Sequence, residues 1–306
     1  MTTTRRSPLA ALFGILAIAM LPLAHAARPV QPPLAEFTGN PYNQVMAGKV
    51  AEKIAPNKVR FERQVAYAGD VEESVVLRME DEQTFADVQE GQSYIVAFSY
   101  FTSDPQFRES KFEDPEGPRM ITVRGLGDPA LFEDTPDTRF LFESATREVP
   151  PDRRDVLEAL TRQMARADAR TRALVVVELL LRPDLHASMR PRQGERVAKV
   201  VSDPEVTQEL RAFLLEAAVA FPDRSQRWLR DACRQVIAEL EPQFALETHG
   251  PQLATAALEA IADHGTAEDV QSLVPFLGSN APKVVRTAIE SIEVLLLREG
   301  RASPSR

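Results

Sequence analysis

The chain has 306 residues, a formal net charge of −9, 44% apolar and 26% charged residues, and one cysteine. That length supports two hydrophobic cores, and a lone cysteine excludes an internal disulfide framework, so the cores must hold the fold by themselves. The acidic excess is concentrated in residues 27–140, which carry twenty acidic and twelve basic side chains; such a surface repels phosphate backbones and excludes nucleic acid from the expected partners.

The first expected element is an export signal over residues 1–26. Arg5 and Arg6 precede the apolar run Leu9 to Ala24, and Ala24-His25-Ala26 forms a small-x-small cleavage site. The mature chain is expected to begin at Ala27, periplasmic or secreted, with no stable membrane span after cleavage. An uncleaved anchor is the competing reading, but the apolar run is shorter than the roughly 20 residues a spanning helix needs. Thr4-Arg5-Arg6 has the look of a twin-arginine signal, although Pro8 stands where an apolar residue is preferred. Residues 27–43 hold Pro29, Pro32, Pro33 and Pro41 without helical or strand periodicity, which predicts an extended lead-in.

Residues 44–142 are expected to form a small β-barrel. Runs of β-branched and aromatic residues predict strands over Met46 to Ile54, Lys58 to Tyr67, Ser74 to Met79, Tyr94 to Phe101 and Met120 to Arg124, with a short helix at Glu82 to Val88. Alternation is clearest in the fourth, where Tyr94, Val96, Phe98 and Tyr100 share one face. Five strands and one short helix fit an OB-like Greek-key barrel. The segments VRFERQVAYAGD, ESVVLRM and FADVQEGQSYIVAF, with the Tyr67-Ala68-Gly69 turn and the Gly91 to Tyr94 strand start, resemble the barrel of the netrin-like and tissue-inhibitor-of-metalloproteinase family. The resemblance implies an OB-type fold. It does not extend to inhibition, because that family chelates the protease zinc through an N-terminal cysteine and this region has none.

After a linker at 143–151, residues 152–300 take on a helical period, ahead of a tail at 301–306 expected to be disordered. Helices are predicted over Asp152 to Arg166, Ala169 to Leu181, Gly194 to Ser202, Pro204 to Ala220, Ser225 to Leu240, Pro251 to His264, Ala267 to Phe276 and Pro282 to Leu297. Asp203-Pro204 reads as an N-cap with proline at the first position, Thr266 to Asp269 has capping-box spacing, and Gly265 and Gly278 stand at expected helix ends. Eight helices make four hairpins, each needing a neighbour to cover its apolar face. Pro251 to Ile261 aligns without a gap on Pro282 to Ile292 at an offset of 31 residues, the mark of stacked helix pairs. With Ala256-Ala257-Leu258, Leu273, Leu277, Pro282, Val285-Arg286 and Ala288-Ile289 in order, Leu253 to Ile292 resembles HEAT (armadillo-type) repeats, with Thr255 in the place of Arg286 in the preceding unit. The resemblance implies a curved, HEAT-like α-helical solenoid that binds other proteins, with Arg286 packed along its own hairpin.

Residues with catalytic or metal-binding potential are sparse. His186, His249 and His264 are each isolated from Asp, Glu and Cys at metal-ligand spacing, and no Gly-x-Ser-x-Gly, phosphate loop or His-Glu-x-x-His occurs. Gly125-Leu126-Gly127-Asp128 lacks the third glycine of a phosphate loop and reads as a turn. The acidic pairs around Glu80-Asp81-Glu82 and Asp134 with Asp137 lack the ligand pattern of a calcium loop. Cys233 falls on an apolar helix face and is expected to be buried and inert. No metal and no cofactor are expected. Arg224, Arg227, Arg230 and Arg234 recur at helical spacing; Arg227, Arg230 and Arg234 are the candidate partner-binding residues, and the competing reading is a solvated face paired with Asp223 and Asp231. Taken together, these features predict an exported, non-catalytic interaction or scaffold protein of the bacterial cell envelope whose partner is another envelope protein. The alternative is an enzyme or small-ligand receptor with carboxylates gathered at the barrel mouth.

Overall fold

In a computed structural model, the described residues are 31–79, 81–101, 116–123, 127–245 and 248–302. The expected signal peptide lies outside them, as do Glu80, Arg124 to Leu126 and the last four residues of the expected tail.

Helix α1 (Pro33–Gly39) opens the fold where an extended lead-in was expected. Pro33 sits at the start of the helix, where its missing N–H is no loss, and Leu34 and Phe37 turn inward with it. The barrel follows as β1 (Asn43–Ile54), β2 (Lys58–Ala68), β3 (Ser74–Arg78), helix α2 (Glu82–Asp87), β4 (Ser93–Ser99), β5 (Arg119–Met120) and β6 (Leu131–Glu133). Its strands run β1-β2-β3-β5-β4, and β4 closes the ring by pairing antiparallel with β1 from Asn43↔Ser99 to Lys49↔Ser93. The β3 to β5 pairing is parallel, at Arg78↔Arg119, and α2 lies between β3 and β4 in sequence. This is the expected closed, five-stranded, OB-like barrel. β6 adds to the free half of the β4 edge, with Ile95 opposite Phe132.

The barrel core and the helical core meet because β1 and β4 are apolar on both faces. Met46, Val50, Val96 and Phe98 point into the lumen with Val59, Phe61 and Leu77. The alternate residues Val45, Ala47, Ile95 and Ala97 point outward into a second core that continues through Phe132, Leu141, Phe142, Leu157 and the helices beyond. Helix α3 (Pro136–Thr146), capped by Thr135, fills the corner where the barrel ends, and it packs with α1 between barrel and helices. Only residues 147–152 separate it from the next helix, and residues from Pro32 onward form one unit.

The remaining helices are α4 (Arg153–Arg166), α5 (Ala169–Leu180), the short α6 (Pro183–His186), α7 (Pro191–Val201), α8 (Gln208–Ala218), α9 (Leu229–Glu239), α10 (Gly250–His264), α11 (Val270–Leu273) and α12 (Pro282–Ala302). They pair as hairpins α4/α5, α7/α8, α9/α10 and α11/α12, which stack in two layers, α4-α7-α9-α11 and α5-α8-α10-α12. Several expected ends change: α7 already starts at Pro191, not Gly194, and α9 starts at Leu229, not Ser225, after a 3₁₀ turn at Asp223–Ser225. Helix α8 starts after Thr207, not at Pro204, because Asp203 closes a turn on the Glu205 N–H and Val206 is buried there. The helix expected over Ala267 to Phe276 is broken into 3₁₀ turns at Ala267–Asp269 and Val274–Gly278 around α11; Pro275 lacks the N–H that a continuous helix needs. The Thr266 capping box is present, and α12 runs through Ala302, past the expected start of the tail.

Candidate functional site

The polar residues gather at the seam between barrel and helices. Pro136 starts α3, and helical spacing then puts Arg139, Phe140 and Glu143 along a 460 Å³ cavity that Asp134 and Pro136 also line. Arg139 forks onto Asp134, Nε to Oδ1 at 2.5 Å and Nη2 to Oδ2 at 2.6 Å, and Nη2 also reaches Gln64 Oε1 at 3.4 Å. The guanidinium is therefore held above its already high range by the Asp134 hydrogen bonds against the opposing effect of burial. Beside the cavity, the Tyr67 ring packs on Phe142 at 5.7 Å and its buried hydroxyl has no partner. Burial, then the charges of Asp134 and Glu143 against that of Arg139, push this phenol up to about 12. It is a proton holder at neutral pH, not a base. Glu143, the second carboxylate, leans on Arg147 at 3.3 Å. The cavity lining thus offers one half-exposed acceptor, Glu143, with its cation already neutralised, and the Tyr67 phenol is buried behind it.

A second set of contacts clamps α5 to the barrel. Asp81 caps α2 by accepting from Thr84 N at 2.6 Å and Thr84 Oγ1 at 2.7 Å. Burial raises the Asp81 carboxyl, but these bonds and the Arg170 charge outweigh it and leave the group below the usual range. Arg170 donates from Nη2 to Thr84 Oγ1 at 3.0 Å and Asp87 Oδ2 at 2.9 Å. Glu133 N donates to Thr171 Oγ1, which donates to Asp168 Oδ2 at 2.6 Å, and Asp168 also caps α5. A 210 Å³ cleft at this clamp is lined by Asp81, Met120, Thr122, Gly127 and Pro129, and burial pushes neighbouring Asp128 up while Arg170 opposes it.

The candidate arginines separate. Arg230 and Arg234, on α9, both turn onto the buried Asp269: Arg230 Nε to Oδ2 at 3.3 Å, with Nη2 on Thr266 Oγ1 at 2.8 Å, and Arg234 Nε to Oδ1. Burial raises Asp269, and the Arg234 hydrogen bond, the Thr266 N–H and the two guanidinium charges more than offset that, so its carboxyl lies below the usual range. These two arginines tie α9 to the turn before α11. Arg227 and Arg224 stay exposed in the turn before α9, with no ion pair among the described residues. Arg286 is exposed on α12.

His186 is buried with Nε2 at 2.7 Å from Leu179 O, and His249 lies 3.7 Å from Glu209. Asp134 and Asp137, noted for their spacing, are each taken by an arginine: Asp137 accepts from Arg162 Nη2 at 2.6 Å. Cys233 is fully buried, and burial pushes its thiol up to about 12. Among the described residues no group of three His, Cys, Asp or Glu side chains is placed to share a metal ion, and no helix is long and apolar enough to cross a membrane. Sequence reasoning misses Arg170 because Thr84 and Asp87 come from a distant segment, and Tyr67 because its packing on Phe142 is long-range; Arg139 has a local signal in Asp134, five residues before it. Comparison of the chain with protein-family models, with curated proteins and with solved structures returns no match.

Proposed function

We propose that this chain is an exported, non-catalytic holder of another envelope protein, built as a HEAT-like helical stack fused to an OB-like barrel. The observation that carries it is the filled barrel: Met46, Val59, Phe61, Leu77, Val96 and Phe98 are each 0% exposed. A lumen packed at side-chain density has no room for a substrate. The four hairpins, continuous with the barrel core, give a rigid surface of the kind stacked helices use for protein partners. The turn carrying Arg224 and Arg227 is the part of the arginine cluster left for an acidic partner, since Arg230 and Arg234 serve Asp269.

The test is crosslinking and affinity capture in the native envelope, with Arg227→Glu as the control. One recurrent protein lost in that variant is expected. Capture of nothing above background, or substrate turnover by the purified chain, refutes the proposal. The seam cavity favours a second reading, a receptor for a small polar molecule, because the Tyr67 hydroxyl is buried without a partner beside it. A ligand whose thermal stabilisation disappears in Tyr67→Phe would move the assignment there.

A further inference from the structure

Helix α12 ends the layer α5-α8-α10-α12, and an apolar stripe runs along its exposed side. Its buried side, Val284, Ala288, Ser291 and Leu295, packs on α10, where Ser291 Oγ donates to Leu258 O at 3.1 Å. About a quarter turn away stands a second stripe: Val285, Ile289, Ile292 and Leu296. Ile289 is 45% and Leu296 50% exposed, while Val285 and Ile292 are half-buried. The 31-residue repeat explains this stripe. Val285, Arg286 and Ile289 correspond to Ala254, Thr255 and Leu258 of α10, all buried where the following helix lies. On α12 the same positions await a helix that this chain does not supply among its described residues. At the other end of the stack the barrel, α1 and α3 cover the first hairpin. A helical stack whose last helix keeps an exposed apolar stripe needs a cover there.

We propose that the cover is α12 of a second copy, packed antiparallel about a two-fold axis. The spacing of the stripe is the first reason. Positions 285, 289, 292 and 296 are separated by four, three and four residues, so the stripe reads the same in both directions. An antiparallel partner then sets Val285 against Leu296 and Ile289 against Ile292, and each contact occurs twice, as an isologous interface requires. Charge is the second reason. Arg286 and Glu293 flank the same side of the stripe, both are exposed, and neither has an ion-pair partner among the described residues. In the antiparallel register Arg286 meets Glu293 of the partner subunit, twice per dimer, whereas in a parallel two-fold pair these positions fall on opposite sides of the seam and the charges do not meet. The contact spans about 16 Å of helix at ~1.5 Å per residue, small for a dimer, so a dissociation constant on the order of 10 µM is expected. This association uses a surface separate from the Arg227 turn and stands whether or not the holder role does.

The experiment is sedimentation velocity on the protein expressed at full length and purified as the host processes it, from 1 to about 200 µM. A concentration-dependent dimer is expected. Ile289→Glu, at an exposed position, should abolish it while leaving the circular dichroism melting curve unchanged. Arg286→Glu or Glu293→Arg alone should weaken it about tenfold, and the double swap should restore it. A monomer throughout, or a dimer indifferent to Ile289→Glu, overturns the proposal. Failure of the double swap to recover what either single reversal lost overturns the antiparallel register.

Discussion

Glu178 offers the sharpest test of how the N-terminal helix is held. Its side chain is 1% exposed in α5, and Oε2 accepts from Leu34 N at 3.0 Å, one of the N–H groups at the start of α1 that the helix itself leaves unpaired. Oε1 pairs with Arg182 at 3.4 Å, but Arg182 is also forked by Asp184 at 2.8 and 3.0 Å, so it keeps a partner without Glu178. In Glu178→Ala, Leu34 N–H is stranded away from water and a void opens, for a loss of about 2–4 kcal/mol. In Glu178→Gln the amide oxygen still accepts from Leu34 and no charge is buried, so stability should stay within about 1 kcal/mol. Burial, opposed by the Leu34 bond and by Arg182, raises the Glu178 carboxyl above its usual range. Its contribution is therefore full below the unfolded-state value of about 4.3 and is lost as pH rises through the raised folded value. The stability of the native chain minus that of Glu178→Gln should fall over that window and then level off. Urea unfolding at several pH values reads the difference, and hydrogen exchange over residues 33–39 should show lost protection in the Ala variant only. Equal losses in both variants, or a difference that grows with pH, would refute the capping role.

Three further outcomes follow from the packing. Phe98→Ala should cost about 3–5 kcal/mol in urea unfolding, the penalty of a void in a filled barrel; a loss below about 1 kcal/mol would point to a lumen with spare room. Asp269→Asn removes the carboxylate shared by Arg230 and Arg234 and should destabilise by about 2 kcal/mol at neutral pH, since both guanidiniums can turn to water. Because the Asp269 carboxyl is depressed, its contribution is present above about 3.9 and is lost as pH falls through the lower folded value, so the variant should show a shallower acid-unfolding limb. Cys233 should resist a thiol reagent at pH 8 in native buffer and react once the chain is unfolded; rapid native labelling would contradict its burial.

What could be read before folding was local. The strands over Lys58 to Tyr67 and Ser74 to Met79 and the helices over Asp152 to Arg166 and Pro251 to His264 fall within two residues of their observed ends, because alternation, caps and Gly265 mark them within a few positions. Misreadings arose where a distant segment decides. Pro33–Gly39 has too few apolar residues to show a period; it is helical because Glu178, far along the chain, accepts its first free N–H and Phe37 packs on Phe132 at 6.0 Å. Helix α3 was lost among the residues after the last expected strand, although Thr135-Pro136 is a good helix start. The seam cavity is lined from one short segment, Asp134 to Glu143, but it could not be read there because α3 itself was not expected. Arg230 and Arg234 looked like a surface because their shared acceptor lies more than thirty residues on.

The two apolar faces of β1 and β4 connect these observations. An isolated barrel of this size would present Val45, Ala47, Ile95 and Ala97 to water, and an isolated stack would present the first hairpin's open side; each covers the other, with α1 and α3 filling the corner. A substitution such as Ala97→Asp should therefore destabilise barrel and helices together, in one unfolding transition, because it charges the core they share. The same reasoning applied to the far end of the stack leaves α12 as the one terminal helix among the described residues without a counterpart of the barrel. A two-fold partner gives that end what β1 and β4 give the other: an apolar surface of matching spacing, held in register by the flanking charges.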